Sequence, residues 1–230
     1  MKHKATLFLL FISINLFSQD VPVPGLAPDW DNQIYMGNKV AAGKNKWRFS
    51  GEIQVRLKDD TQSLDNYFVE GIASYLISEK WEIVPDFRMS IKPDEFEYRP
   101  GLGVVYKFVK GNFQYVNQFK WQTDFSSKEA VEHGLRYAIF LNYLIHDKYI
   151  PNFVAGVFYR WKDDFTGMQY IRFGPGLAFV FDVKHVLNLN YMISIKNYGQ
   201  EWGWAGIPVV QLVININKEY KYMPAKYFSF

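Results

Sequence analysis

The sequence predicts an all-β fold, an antiparallel up-and-down transmembrane β-barrel. Residues 47–58, WRFSGEIQVRLK, alternate between apolar or small and polar side chains, and this alternation recurs along the chain. Successive side chains of a strand point to opposite faces, so each such segment has one apolar and one polar face. After residue 20 the chain has no run of the roughly 18 apolar residues that a spanning helix needs. Aromatic residues are abundant, at 19%, and many stand near predicted strand ends.

The first residues predict a secretory signal peptide over residues 1–19. A short basic start at 1–4 is followed by an apolar run at 5–17 and then by the polar residues Ser18, Gln19 and Asp20. Cleavage is expected after Ser18 or Gln19, which would take the mature protein out of the cytoplasm. The chain has no cysteine, which excludes disulfides, thiolate metal sites and thiol nucleophiles. Its formal net charge of +3 argues against nucleic acid as a main partner.

The rest of the chain divides into a lead-in, a barrel and a tail. Residues 20–46 are a periplasmic lead-in or contain an extra strand at 30–40, residues 47–217 are the barrel, and residues 218–230 are a tail that ends in Phe230. Ten strands are predicted, at 47–58, 65–78, 81–92, 98–109, 112–122, 134–145, 151–161, 169–182, 187–197 and 207–217. Strands at both 30–40 and 219–230 would make twelve. Ten is preferred because it places short turns and both termini in the periplasm and longer loops outside.

The apolar faces are predicted to meet lipid and the polar faces to line the lumen. Aromatic residues near strand ends are typical of the interfacial girdles of outer-membrane barrels; they are Trp47, Trp81, Phe108, Phe113, Trp121, Tyr149, Trp161 and Tyr170. The C-terminal Phe230 is typical of barrels that the insertion machinery recognises. The alternative is a secreted soluble barrel that binds an apolar ligand. The orientation of Leu135 and Arg136 separates the two, because only a membrane barrel points Leu135 outward.

Several segments resemble a known family. They are the lead-in at Trp30, the strand that ends in Gln54-Val-Arg56, the segment GLRYAIFLNY at 134–143 and the segment RFGPGLAFVFD at 172–182. This set is similar to the outer-membrane barrels of Gram-negative bacteria called domain of unknown function 2490, over roughly residues 30–217. The resemblance implies location in the cell outer membrane, but it implies no defined activity and no catalytic residues.

The lumen carries the candidate functional residues. Basic side chains are predicted in its outer half and could attract anions; they are Arg56, Arg88, Arg99, Lys120, Arg136, Arg160, Arg172 and Lys196, with Lys92 beside them. Glu82, Asp86 and Asp182 are predicted in the periplasmic half and Glu52 near the middle. One interpretation is a structural network of ion pairs, because buried charges must be paired. The other is an anion-attracting funnel above a narrow pore.

No cofactor or metal site is predicted. His133, His146 and His185 lack the spacing of metal ligands to another histidine, aspartate or glutamate. An outer-membrane hydrolase is a further alternative, with a site in the external loops. The pairs Asp59-Asp60 and Asp163-Asp164, together with His133, are the residues that it could use. The preferred prediction is a protein that is not an enzyme, with outer-membrane lipid, the insertion machinery and small anions as partners.

Overall fold

The computed structural model describes residues 29–162, 165–199 and 201–225, and these residues form strands throughout. The strands are β1 (Asp31–Asn32), β2 (Ile34–Asn45), β3 (Trp47–Lys58), β4 (Ser63–Leu76), β5 (Trp81–Ile91), β6 (Phe96–Lys110), β7 (Phe113–Ser126), β8 (Glu132–Tyr143), β9 (Tyr149–Lys162), β10 (Phe165–Val180), β11 (His185–Asn197) and β12 (Trp202–Tyr220). Among the described residues no helix is long and apolar enough to cross a membrane. The predicted signal peptide, Asp163-Asp164 and Phe230 lie outside the described residues.

The strands form one closed barrel. Neighbours from β2 to β12 pair antiparallel in chain order, and β12 then pairs with β2 in parallel. The short strand β1 lies beside β12 and also runs parallel to it. The all-β barrel is therefore confirmed, but the preferred count of ten strands is wrong, since the described residues form eleven long strands and one short strand. This total equals the alternative of twelve, although the two added strands are β1 and β2. The segment at 30–40 adds a strand, whereas β12 continues to Tyr220 and no further strand is described after it.

The parallel closure places the two ends of the barrel chain at opposite rims. We call the rim where β2 begins the N-terminal rim and the rim where β12 ends the C-terminal rim. The expectation that both termini lie at one side is thus wrong for this strand count. The predicted difference in loop length is also wrong, because connections at both rims span one to five residues. Strands such as β7, which ends at Ser126, extend through segments whose polarity predicted loops.

The apolar face of each strand points outward, as predicted. In β3, Phe49 and Ile53 are each 57% exposed, whereas Glu52 and Gln54 are buried in the lumen. In β8, Arg136 is buried and Leu135 lies on the opposite, outer face. The predicted orientation of this decisive pair is confirmed. A wall with apolar side chains outside and charged side chains inside is the arrangement of a transmembrane barrel.

Two residues do not lie where the sequence analysis placed them. Tyr170 was expected in an outer girdle, but its ring is buried in the lumen, on the same face of β10 as Arg172. Asp182 was expected in the lumen, but β10 ends at Val180 and the Asp182 side chain is exposed in the following turn. There a hydrogen bond with His185, together with backbone N–H donors of Lys184 and His185, lowers the pKa of Asp182 to about 2.

Gly174 allows β10 and β11 to approach closely. A Cβ atom at this position would lie 1.9 Å from the backbone oxygen of Tyr191, which cannot move aside as a side chain could. Replacing Gly174 by alanine is therefore expected to lower the free energy of unfolding by about 1–3 kcal/mol, as overpacking does. Urea titration of the barrel refolded in lipid vesicles would measure the loss. Gly51→Ala is the matched control, since no atom lies within 4 Å of its Cβ position; an equal loss there would contradict the explanation.

Candidate functional site in the barrel lumen

All eight basic residues that the sequence singled out lie on the lumen face. Arg88 is the most deeply buried, at 2% exposure, and Arg56, Lys120, Arg136 and Arg172 are also buried. Arg99, Arg160 and Lys196 are partly buried and lie closer to the N-terminal rim. The structure therefore gathers the predicted set in one enclosed space, and their role depends on what surrounds each side chain.

A central layer of polar side chains closes the lumen. Lys39 pairs with Glu52 at 3.1 Å, and Arg88 pairs with Glu70 at 3.2 Å. Lys120 lies 2.6 Å from Asp86, so Asp86 belongs to this central layer. Between the ion pairs, uncharged side chains complete the filling: Gln54 and Gln211 have no exposed surface, and the amide of Gln211 donates to Glu52 over 2.8 Å. The side chains of this layer therefore bury one another in the middle of the barrel.

Several lumen carboxylates were missed by the sequence analysis. Glu97 and Asp124 both pair with Arg99, and Glu132 pairs with Arg160 at 2.9 Å. Glu132 also lies 3.1 Å from Lys162. These three acids stand in segments whose high polarity predicted loops. Strand alternation could have placed two of them in the lumen. Glu97 lies two residues before Arg99 on the same face of β6, and Asp124 lies two residues after Gln122 on the same face of β7.

Arginines and aromatic rings alternate along the lumen wall and form what we call the arginine–aromatic ladder. Its members are Arg88, Phe68, Arg56, Tyr35, Arg172, Tyr170 and Phe158. Arg88 lies 3.8 Å from the Phe68 ring centre, and Arg56 lies 4.4 Å from that of Tyr35. Cations over ring faces are attracted by the ring quadrupole, more strongly when water is excluded. The rings thus hold guanidinium groups in place without neutralising their charge.

The C-terminal rim is filled differently. Apolar side chains pack together there; they include Val84, Val105, Val116, Phe140 and Val154. Glu82 pairs with Lys107 beside them, and its Oε1 accepts a hydrogen bond of 2.6 Å from the backbone N–H of Ala225. The segment after β12 therefore turns back into the lumen, and Ala225 is buried. Glu82 thus lies in the C-terminal half of the lumen.

The residues of the hydrolase alternative make other contacts. Asp60 accepts hydrogen bonds from the backbone and side chain of Asn32, and Asp59 accepts one from Ser63. His133 Nδ1 lies 3.0 Å from Thr123 Oγ1, and its ring packs on Trp121. Within the described ranges no group of three or more histidine, cysteine, aspartate or glutamate residues is placed to hold a metal ion. Among the described residues no contact joins Asp59 or Asp60 to His133.

Comparison with known proteins agrees with this architecture. The family model described as "Protein of unknown function (DUF2490)" matches residues 32–204. No curated protein matches the chain.

The similar solved structures include a NanC porin, with 10% identity and a TM-score of 0.51 over 67% of this chain and 78% of that chain. They also include the β domain of the Bordetella autotransporter Brka, with 11% identity and a TM-score of 0.51 over 72% and 82%. A KdgM porin in complex with disordered oligogalacturonate gives 16% identity and a TM-score of 0.47 over 71% and 90%. The fold is thus that of porin-like outer-membrane β-barrels.

Proposed function

The chain belongs to the family of proteins of unknown function DUF2490, and on that premise we propose that it is an outer-membrane barrel whose closed lumen attracts small anions into its N-terminal half. The observation that carries the proposal is the contrast between two levels of the lumen. The central charges are paired and buried, whereas the ladder arginines Arg56 and Arg172 face aromatic rings. The N-terminal rim is the outer one in this proposal.

The closed centre favours a structural lumen over an open pore. Gln54, Gln211 and Glu52 are at most 1% exposed, so a hydrated ion has no path past them. An eight-stranded barrel is filled by its own side chains. Eleven strands enclose a wider space, and long side chains such as Arg88, Lys120 and Gln122 fill it here. The ion-pair network and the basic outer half are therefore two levels of one lumen and not competing interpretations.

The basic half supports the attraction of anions. Rings of lysine and arginine favour anions in pores, because their potential adds up in a space walled by low-dielectric material. The eight residues predicted for this role are all on the lumen face. Glu97, Asp124 and Glu132 offset Arg99 and Arg160 near the rim. The remaining positive charge lies at the arginine–aromatic ladder, which is deeper in the lumen than Arg99 and Arg160.

The outer wall supports a location in lipid. Exposed aromatic side chains lie near both rims; they include Trp47, Trp81, Trp121, Phe125, Tyr149 and Trp202. Apolar side chains such as Ile53, Val69 and Leu102 are exposed between them. Such a band is suited to hydrocarbon with aromatic girdles at the interfaces. Outer-membrane lipid and the barrel insertion machinery are accordingly the proposed partners.

Planar-bilayer recording of the purified full-length barrel tests this function. The wild-type protein is expected to give no conductance steps, because the central layer is closed. The variant Gln54→Ala/Gln211→Ala removes two buried side chains without unpairing an ion pair and is expected to give small steps that favour chloride over potassium several-fold. Gln62→Ala, in an exposed loop, is the control and should stay silent. Cation preference in the wild type or in the opened variant would overturn the proposal.

A further inference from the structure

We propose that Arg56 and Arg172, which both lie beside the Tyr35 ring, form a binding site for one small oxyanion, with phosphate, sulfate and carboxylate sharing the required chemistry. This inference rests on the proposed attraction of anions into the N-terminal half of the lumen. It goes further by naming the two guanidinium groups that would hold the ligand. Three observations carry it: an unsatisfied donor, the absence of carboxylate partners and a local excess of positive charge.

Arg56 provides the unsatisfied donor. Its Nε donates to Gln54 Oε1 over 2.7 Å, but its buried Nη2 has no hydrogen-bond partner. The whole side chain is only 8% exposed. Guanidinium carries five N–H donors, and a buried donor without an acceptor is costly, more so when it is charged. An acceptor supplied by a ligand would remove this cost.

Arg172 is held in place by hydrogen bonds beside Tyr35. Its Nε donates to Ser194 Oγ over 3.1 Å and its Nη2 to the Tyr35 hydroxyl over 3.3 Å. The Tyr35 hydroxyl in turn donates to Gln33 Oε1 over 3.0 Å. These contacts use neutral acceptors, so they orient the guanidinium without cancelling its charge. Two arginines are thereby preorganised around one ring.

Carboxylates do not neutralise the pair. Among the ion pairs of the described residues, none includes Arg56 or Arg172. Asp65 is the acidic residue that attracts both of them electrostatically, and it also attracts Lys196. One of its oxygens accepts a hydrogen bond of 2.6 Å from Asn66. The summed charge of Arg56, Arg172, Lys196 and Asp65 is therefore positive.

The geometry favours a compact oxyanion. Guanidinium groups bind carboxylate and phosphate oxygens through paired N–H donors in the plane of the group. The Tyr35 ring lies 4.4 Å from the Arg56 guanidinium and 5.6 Å from that of Arg172, and the Tyr170 ring lies 4.2 Å from Arg172. The rings therefore lie against both guanidinium groups, and the Nη2 of Arg56 is left for a ligand.

Isothermal titration calorimetry of the folded full-length barrel in detergent tests the site, with inorganic phosphate as the first probe and sulfate and acetate as parallel arms. The wild type is expected to bind phosphate, and Arg56→Gln or Arg172→Gln to weaken binding at least tenfold. Arg48→Gln is the matched control: it makes the same change in the same strand, at the C-terminal rim, and should bind as the wild type does. The anion that binds with the lowest dissociation constant among phosphate, sulfate and acetate identifies the preferred ligand chemistry.

Asp65→Asn keeps the inference falsifiable if an arginine variant fails to fold. Removal of the competing carboxylate should tighten phosphate binding several-fold, a gain that an unfolded protein cannot give. The site would be refuted by a wild type that binds none of the three anions, by an Arg56→Gln variant that binds normally, or by an Asp65→Asn variant with unchanged or weaker affinity. If the opened barrel still prefers chloride in such a case, the anion-attracting function stands and only this site fails.

Discussion

Replacing Arg88 by methionine is expected to lower the free energy of unfolding by about 3–5 kcal/mol, because the change leaves a buried carboxylate without its main partner. Arg88 lies 3.2 Å from Glu70 and 3.8 Å from the Phe68 ring centre. Both charged side chains are 2% exposed, so water cannot take the place of the guanidinium. Lys120 lies 3.6 Å from Glu70, but its closer partner is Asp86 at 2.6 Å. Lys120 can therefore replace only part of the interaction that Glu70 loses.

The double variant Glu70→Gln/Arg88→Met separates the cost of an unpaired charge from the cost of lost packing. Once the carboxylate is neutral, most of the stability should return, because an uncharged pair of similar volume can replace a buried ion pair. Guanidinium-induced unfolding in lipid vesicles, followed by tryptophan fluorescence, measures all three proteins. A single variant as stable as the wild type would show that the central layer is not the closed, dry network described above.

Replacing Ile53 by arginine is expected to cost about 2–4 kcal/mol, the penalty for a cation on the lipid face of a barrel near the bilayer midplane. Ile53 stands near the middle of β3, and 57% of its surface is exposed on the outer wall. In hydrocarbon the guanidinium would lose its hydration, whereas in water it would be solvated. The free energy of unfolding in vesicles is again the quantity to measure.

This substitution also separates the membrane barrel from the soluble alternative. In a soluble barrel the outer face at Ile53 would meet water, and arginine there would have little effect. Val131→Arg is the control, because Val131 is 48% exposed in the connection between β7 and β8. It should change stability by well under 1 kcal/mol, as expected near or beyond the interface. Equal effects at the two positions would contradict the proposed depth of Ile53 in lipid.

Alternation made much of this fold predictable. A period of two assigns every residue of a regular strand to one face, so Leu135 and Arg136 could be placed correctly without any coordinates. The same rule placed all eight basic candidates in the lumen. The assignment of Tyr170 to a girdle departed from this rule, because Tyr170 shares a face with Arg172 and its ring is buried in the lumen. The register shift between Met168 and Tyr170 affects only the residues of β10 that precede Tyr170.

Strand ends were less predictable than faces. Glu97, Asp124 and Glu132 look like loop residues because a loop and the lumen of a polar barrel select the same side chains. Alternation extended from Arg99 and Gln122 places Glu97 and Asp124 on the lumen face, and the ion pairs with Arg99 and Arg160 show that all three acids belong to the wall. These three acids were therefore left out of the predicted charge distribution of the lumen. The position of the remaining excess, beside Tyr35 and Tyr170, depends on neighbours brought together from β2, β3 and β10.

The sequence by itself determined that this chain is a barrel with an apolar outside and a charged inside, because both properties follow from local alternation. Only the tertiary structure decided that the barrel closes with β2 parallel to β12, that its centre is filled, and that Arg56 and Arg172 share one aromatic ring. Closure, filling and contact across the lumen depend on pairings between residues as far apart as Tyr35 and Arg172. The alternation of apolar and polar residues within a strand gives no information about which distant residues meet.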